Sequence, residues 1–192
     1  MIGNDIIDLQ LAAQESDWQR KGFLQKIFTA SEQNLILSSK NYFQVVWRLW
    51  SMKESAYKIH VQQHSKRFFA PQKFECFIQS KTNGMVCFDS TKYLTTSVTT
   101  PQYIYSIATT KTIQNNSTSC FKINSTSRLN QRQATYHNLK STISNRHKTL
   151  FDTLALKKNA AGVPSLYQND QILTLSFSIS HHGNYGLVSI QN

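Results

Sequence analysis

The sequence predicts an α+β protein of two similar subdomains, pseudo-twofold related, each a helix packed on a small antiparallel sheet. Three patterns predict it. Apolar residues recur at helical spacing over 41–62 and again over 127–145. Each helical stretch is followed by short period-two segments joined by turn residues. Between the two plans, Thr109 to Ser127 is poor in large apolar side chains and rich in Ser, Thr and Asn. The boundary is placed near residue 115, giving parts 1–115 and 116–192, with no close sequence repeat between them.

Residues 2–9 read as a short apolar strand interrupted by polar groups. Thr29-Ala-Ser-Glu32 is a capping box, in which the Thr side chain caps backbone amides and Glu32 reaches back, so a helix starts near Ser31 and runs to about Ser38. The second helix, 41–62, has Val45, Val46, Leu49, Met52, Ala56 and Ile59 as its apolar face. Phe74, Cys76 and Ile78 then alternate with polar residues, Thr82-Asn83-Gly84 turns, and Met85 to Phe88 returns, a hairpin. Tyr103 to Ala108 is a further strand. In the second part, the helix over 127–145 has Leu129, Tyr136, Leu139 and Ile143 as its apolar side. Leu154-Ala-Leu156 leads into the turn Ala161 to Pro164. Leu173 to Ser180 and Tyr185 to Ile190 are strands joined at His181 to Asn184.

A chain of 192 residues with 40% hydrophobic and 16% charged residues is long enough to bury roughly 70% of its unfolded surface, and its composition excludes disorder, collagen and coiled coil. Cys76, Cys87 and Cys120 are too few and too scattered for a disulfide framework or a four-ligand zinc site. No signal peptide or membrane span is legible. A soluble protein of a reducing, cytoplasmic compartment is expected. The net charge is +11, and the second part is the more concentrated anion attractor: residues 113–192 hold eight basic and two acidic side chains. Basic residues come at most two together, with no basic helix, finger or RNP motif, so nucleic acid is not the expected partner.

Glu54 and Lys58 stand four apart and share a helix face, with Trp47 and Trp50 one and two turns back on the same side. Such a pair is ordinarily a wet surface ion pair. Asp5 changes the reading, because a carboxylate in a strand beside Ile6 and Ile7 is costly unless a cation or donors compensate it. Two carboxylates plus phosphate oxygens are what Mg²⁺ prefers. Ser178-Ile-Ser180-His181-His182-Gly183 ends a strand with hydroxyls and imidazoles. Consecutive strand residues point to opposite faces, so His181 and His182 do not share an ion, and the group suits a phosphate better.

Ile2-Gly-Asn-Asp5-Ile, Leu49-Trp-Ser-Met-Lys53-Glu54-Ser-Ala-Tyr-Lys58 and Ser178-Ile-Ser-His181-His-Gly183 resemble the three signature motifs of the 4′-phosphopantetheinyl transferase superfamily, G-x-D-I, W-x-x-K-E-x-x-x-K and S-x-S-H. Phe28-Thr…Glu32 and Gly162-Val-Pro164 extend the likeness over most of the chain. The resemblance implies Mg²⁺-dependent transfer of 4′-phosphopantetheine from coenzyme A to a serine of an acyl or peptidyl carrier protein, releasing adenosine 3′,5′-bisphosphate. The carrier would be acidic and would serve fatty acid biosynthesis or secondary metabolism. Asp5 and Glu54 would bind the metal, Lys58 would contact phosphate, and Ser180 and His181 would hold coenzyme A phosphates. Glu54 is also a candidate to orient or deprotonate the carrier serine. The alternative is a non-catalytic module that binds coenzyme A or a polyanion such as nucleic acid.

Larger members of the superfamily usually place S-x-S-H before G-x-D-I-E. The order here, together with two helix-plus-strands parts, implies permuted halves with one site between them, Ile190 near Ile2, and a monomer that completes its site alone. Ile7 stands where the larger type has a second carboxylate, and Asp8 is a weaker stand-in because odd spacing turns it to the other face. Val163 replaces the lysine of a common G-K-P turn. Arg128 and Arg132 are the candidates for the 3′-phosphate, with Lys157 or Lys158 next.

Overall fold

In the computed structural model, which describes residues 1–111, 116–125 and 127–191, local sequence signals set most element starts. The Thr29 capping box forms as expected: Glu32 N donates to Thr29 Oγ1 and Thr29 N to Glu32 Oε2, starting α3 (Ala30–Ser38). Before it lie β1 (Ile2–Asp8), α1 (Leu9–Glu15) and α2 (Phe23–Ile27), and after it α4 (Tyr42–His64). The hairpin expected after Phe68 is β2 (Glu75–Ile78) with β3 (Asn83–Phe88), followed by β4 (Thr91–Thr99) and β5 (Tyr103–Thr109). These strands form one antiparallel sheet in the order β1-β5-β4-β3-β2, on which α4 lies.

The second part contains β6 (Asn116–Lys122), α5 (Arg128–His147), β7 (Leu154–Lys158), β8 (Pro164–Gln168), β9 (Gln171–Ile172), β10 (Ser176–His182) and β11 (Tyr185–Gln191). Its sheet runs β10-β11-β6 under α5, and β7-β8-β9 form a small third sheet. The similarity of the halves is topological. In one, β1 is followed by α4, β4 and β5, and β1 pairs with β5, which pairs with β4; in the other, β6 is followed by α5, β10 and β11, with the same pairing. Each half has its own core: Phe28, Leu49, Met52, Ile59, Phe74 and Ile104 in the first, and Leu139, Ile143, Leu166, Phe177 and Val188 in the second.

Several expectations are corrected. Within the polar stretch around the boundary, where the sequence predicts no strand, residues 116–122 form β6, an edge strand half-buried on both faces that needs no apolar alternation. The boundary at residue 115 falls outside the described residues. The strand β4 escapes a hydropathy reading because its inward positions after Tyr93 are Thr95 and Ser97. Ser97 Oγ meets Ser106 Oγ at 2.9 Å, which meets Ser51 Oγ of α4 at 2.7 Å, so small hydroxyls satisfy one another under the helix. On α5 the buried line is Gln131, Thr135, Leu139 and Ile143, whereas Leu129 is 54% exposed and Tyr136 half-buried. No described helix is long and apolar enough to cross a membrane, and the three cysteines are free thiols.

The two main sheets meet along β1 and β10 through side chains. Ile2 N donates to Ser176 Oγ (3.1 Å), Asn4 N to Ser178 Oγ (2.9 Å) and Asp8 N to His182 Nδ1 (2.9 Å). Alternate side chains of β10 therefore stand where a neighbouring strand would offer carbonyls. Asn4, wholly buried, closes the seam by donating from Nδ2 to Ser178 O and Ser189 Oγ, both at 2.9 Å. Ile2 thus touches the strand whose Ser176 pairs with Gln191, the proximity expected of the permuted order.

Candidate functional site

Gly3 sets how closely α4 lies on β1. A Cβ there would run into the Ser55 carbonyl, so any larger residue would push the helix off the strand. At this distance Lys58 Nζ donates to Asn4 O (2.6 Å) and Asp5 Oδ1 (3.0 Å), and Gln62, one turn on, donates to Ile2 O (3.1 Å). Strand alternation turns Asp5 toward the helix along with Gly3 and Ile7. The sequence-predicted trio of Asp5, Glu54 and Lys58 is thereby brought together.

Glu54 has no hydrogen bond or ion pair among the described residues. Burial first, and the neighbouring Asp5 charge second, raise its pKa from 4.5 to about 7, against the pull of Lys58. Asp5 is also raised, chiefly by burial, with Lys58 offsetting it. Two neighbouring carboxylates both raised by burial, one of them further by the charge of the other, are short of positive charge. No cluster of three His, Cys, Asp or Glu exists among the described residues, which argues against a zinc-type cage. The pair fits Mg²⁺, which takes one or two carboxylates and fills its shell with water and phosphate oxygens. No third carboxylate joins them: the position of the larger type's second carboxylate is held by Ile7, a core residue, and Asp8 Oδ1 caps α1 through Gln10 N and Leu11 N while Oδ2 accepts from Asn184 N.

Lys53, adjacent in the same motif, faces the other way. Its ammonium is 2% exposed, bound to both Glu32 oxygens at 2.8 Å and to Pro71 O and Phe74 O at 3.1 and 2.7 Å. Glu32 Oε1 also accepts from Cys76 N at 2.7 Å. Trp47 and Trp50 belong to the first core and do not line the site.

From the second half, β10 supplies Ser178, Ser180 and His181. Ser178 is spent on Asn4. Ser180 sits where the seam skips a rung, and its buried Oγ has no hydrogen-bond partner among the described residues. His181 Nδ1 lies 3.1 Å from Gln131 Oε1, and Gln131 Nε2 donates to Gly183 O at 2.9 Å. With that amide so oriented, Nδ1 carries the imidazole proton and Nε2 is left as the ring's acceptor. Burial, then Lys58, Lys158, His182 and Arg128, depress the His181 pKa, so the ring is neutral at pH 7. His182 turns to the opposite side, onto Asp8 N, as strand alternation requires.

These groups open onto two recesses between the halves. A cleft of about 340 Å³ runs from Glu54, Tyr57 and Lys58 to Arg67 and Lys158, past the turn at Gly162 and Val163. A smaller one of about 220 Å³ joins Asp5, Lys58, Arg132, Lys158, Ser180 and His181. Of the basic candidates, Arg132 and Lys158 line the site. Arg128 acts only as a nearby charge on His181, and Lys157 leaves to pair with Asp170 on the surface (2.8 Å). Arg67, like the Gln131 that holds His181, is a residue that sequence reasoning missed. Its Nε donates to Ala161 O, and its guanidinium packs on Gly162, whose positive φ (74°) and lack of a Cβ make room for it. The cation that Val163 cannot supply at this turn arrives from the other half of the chain. The only sequence signal was the Lys66-Arg67 pair, which carries no partner information.

Set beside known proteins, residues 1–110 match the family model described as 4′-phosphopantetheinyl transferase superfamily. The match covers the first two motifs and leaves the Ser178 to Gly183 motif outside it. No curated protein matches the chain. Among solved structures, the holo-[acyl-carrier-protein] synthase of Thermotoga maritima is similar at 11% identity, over 89% of this chain and 83% of that one, with a TM-score of 0.45.

Proposed function

The chain belongs to the 4′-phosphopantetheinyl transferase superfamily, and from that premise we propose that it transfers 4′-phosphopantetheine from coenzyme A to a serine of an acyl or peptidyl carrier protein, with Mg²⁺ held by Asp5 and Glu54. The observation that carries the proposal is the meeting of Asp5, Glu54 and Lys58 with Ser180, His181 and Arg132 around connected recesses between the halves. In the reaction, the serine Oγ bonds to the phosphorus that bears pantetheine. The bond from that phosphorus to the bridging pyrophosphate oxygen breaks, and adenosine 3′,5′-bisphosphate leaves. Mg²⁺ supplies charge neutralisation at the pyrophosphate when bound.

The protein's own groups do the rest. Lys58, anchored on Asn4 O and Asp5, presents a fixed cation at the reacting phosphate. Glu54 makes no hydrogen bond or ion pair among the described residues, which leaves its carboxylate for the metal and for orienting or deprotonating the carrier serine, directly or through water. Neutral His181 and the unpaired Ser180 hydroxyl are hydrogen-bonding groups for the donor's phosphate oxygens, and Arg132, Lys158 and Arg67 add positive charge further out. Positioning and charge stabilisation suffice for phosphoryl transfer, so no enzyme nucleophile is required.

Intact mass of an apo carrier protein incubated with this protein, coenzyme A and Mg²⁺, with and without EDTA, tests the proposal. One added phosphopantetheine, blocked by EDTA and by Glu54→Gln in a folded variant, is expected. Unmodified carriers with no binding of coenzyme A would hand the case to the polyanion module.

A further inference from the structure

Gln131 of α5 is 5% exposed and is not among the residues that line the two recesses, yet it decides what His181 offers there. Its amide is held at both ends. Nε2 donates to two carbonyls, Gly183 O at 2.9 Å and Ser125 O at 3.3 Å, while Oε1 lies 3.1 Å from His181 Nδ1. A carbonyl oxygen only accepts, so two of them at one end of the amide fix which end bears the hydrogens. The other end is an acceptor, and the ring nitrogen it meets must carry a proton. An uncharged imidazole has one such proton for two nitrogens. With it held at Nδ1, Nε2 presents a lone pair and has nothing to donate.

The ring is uncharged before a ligand arrives. Burial disfavours its charged form, and most of the groups around it are cations: Lys58 of α4, Lys158 of β7, Arg128 and Arg132 of α5 and the adjacent His182, with the Asp5 carboxylate of β1 in the same recess. Those cations attract phosphate, and phosphate brings a conflict, since its oxygens at neutral pH are acceptors and so is Nε2. Two lone pairs face to face repel. We propose that Gln131 is a positioning residue which, by fixing the proton of His181 at Nδ1, makes the seating of a donor phosphate against this ring require one further proton from solvent. This inference rests on the transferase reading for the identity of the donor, coenzyme A. In the step an N–H bond forms at Nε2 with a proton given up by a buffer acid, and the imidazolium then donates to Gln131 Oε1 on one side and to phosphate on the other. The phosphate charge offsets the surrounding cations, which keeps the proton in place. The other uncharged tautomer, with its hydrogen at Nε2, meets phosphate with no uptake, and Gln131 excludes it. Because the free ring lacks the added proton, donor affinity falls as pH rises.

The test is calorimetric and uses the full chain, with coenzyme A as titrant and EDTA present so that no metal competes for the carboxylates. Binding heats at pH 8 are read in HEPES and in Tris, whose heats of ionisation differ, and the difference counts the protons taken up. Wild type should take up close to one proton more than Gln131→Leu, in which the ring is free to present Nε2–H. Asp5 and Glu54 are the same in both proteins, so protons bound there cancel. Between pH 7 and pH 8 the wild-type affinity should fall about tenfold more than the variant's, the slope that one linked proton gives. Gln131→Leu also removes the donor of Gly183 O and Ser125 O, so a second readout uses wild type alone. The imidazole nitrogen resonances of the histidine-labelled protein, assigned with His181→Asn, should show a proton at Nδ1 and none at Nε2 in the free state, and protons at both with coenzyme A bound. Equal proton counts in wild type and variant, or a free ring protonated at Nε2, overturn this inference and leave the transferase reading standing. Absence of coenzyme A binding takes down both.

Discussion

Replacing Lys53 by Met keeps the length and apolar stem of the side chain and deletes one buried charge. Glu32, itself 1% exposed, then retains only the amides of Thr29 and Cys76 as donors, while Pro71 O is left with Phe74 N and Phe74 O with the weak Cys76 thiol. Breaking a buried pair from one side costs about 3–5 kcal/mol, because the remaining charge is uncompensated. Against a total stability of roughly 5–15 kcal/mol that is a large share, and for a chain of this length it lowers Tm by about 6–20 °C. Glu32→Gln in the same background removes the stranded charge and should recover part of the loss. The assay is urea unfolding of wild type, both single variants and the double variant, read as a cycle. A Lys53→Met cost below about 1 kcal/mol, or additive single effects, would refute the view that this motif lysine holds the fold.

Two other measurements bear on the site. Glu54 is raised from 4.5 to about 7, so the folded protein holds that proton more tightly than the unfolded chain. The stability this confers is complete below pH 4.5 and is lost as pH rises through 7. Glu54→Gln should therefore gain on wild type in Tm between pH 5 and pH 8, and a constant gap across that range would contradict the assignment. Ser178→Ala strands the buried Asn4 amide and Oδ1, held now at 2.9 and 3.1 Å; a loss of about 1–3 kcal/mol in urea unfolding is expected, and a loss under about 0.5 kcal/mol would mean the seam repacks at little cost.

The legible part of the site was the part with sequence spacing. Asp5, Glu54, Lys58, Ser180 and His181 sit at positions whose helix and strand periods fix which way they face, and the structure brings them together. Arg67 and Gln131 were illegible for a common reason: their importance lies in a contact across the molecule, with Ala161 and with His181, and nothing local marks it. Lys53 and Lys58 look alike in the motif, and only the third dimension separates the one neutralising Glu32 from the one at Asp5. In the fold, long periodic helices and the Gly84 hairpin were readable. The strands β4 and β6 were not, because hydroxyl side chains satisfying one another under a helix or along an edge imitate a linker.

The seam between β1 and β10 has a bearing on synthesis. Each of its main-chain donors waits for an acceptor 174 residues further on. At ribosomal rates of about 5–20 residues per second, the outer edge of β1 stays unpaired for roughly 9–35 s after it is made. For that interval Ile2, Asn4 and Ile6 offer a bare strand edge to any other nascent chain, the situation in which sheets join wrong partners. The buried asparagine and the serine acceptors make that edge selective, since a stray strand presenting carbonyls alone leaves the Asn4 amide without its Ser189 hydroxyl. The same residues that join the halves of the finished molecule also discourage the first half from joining anything else.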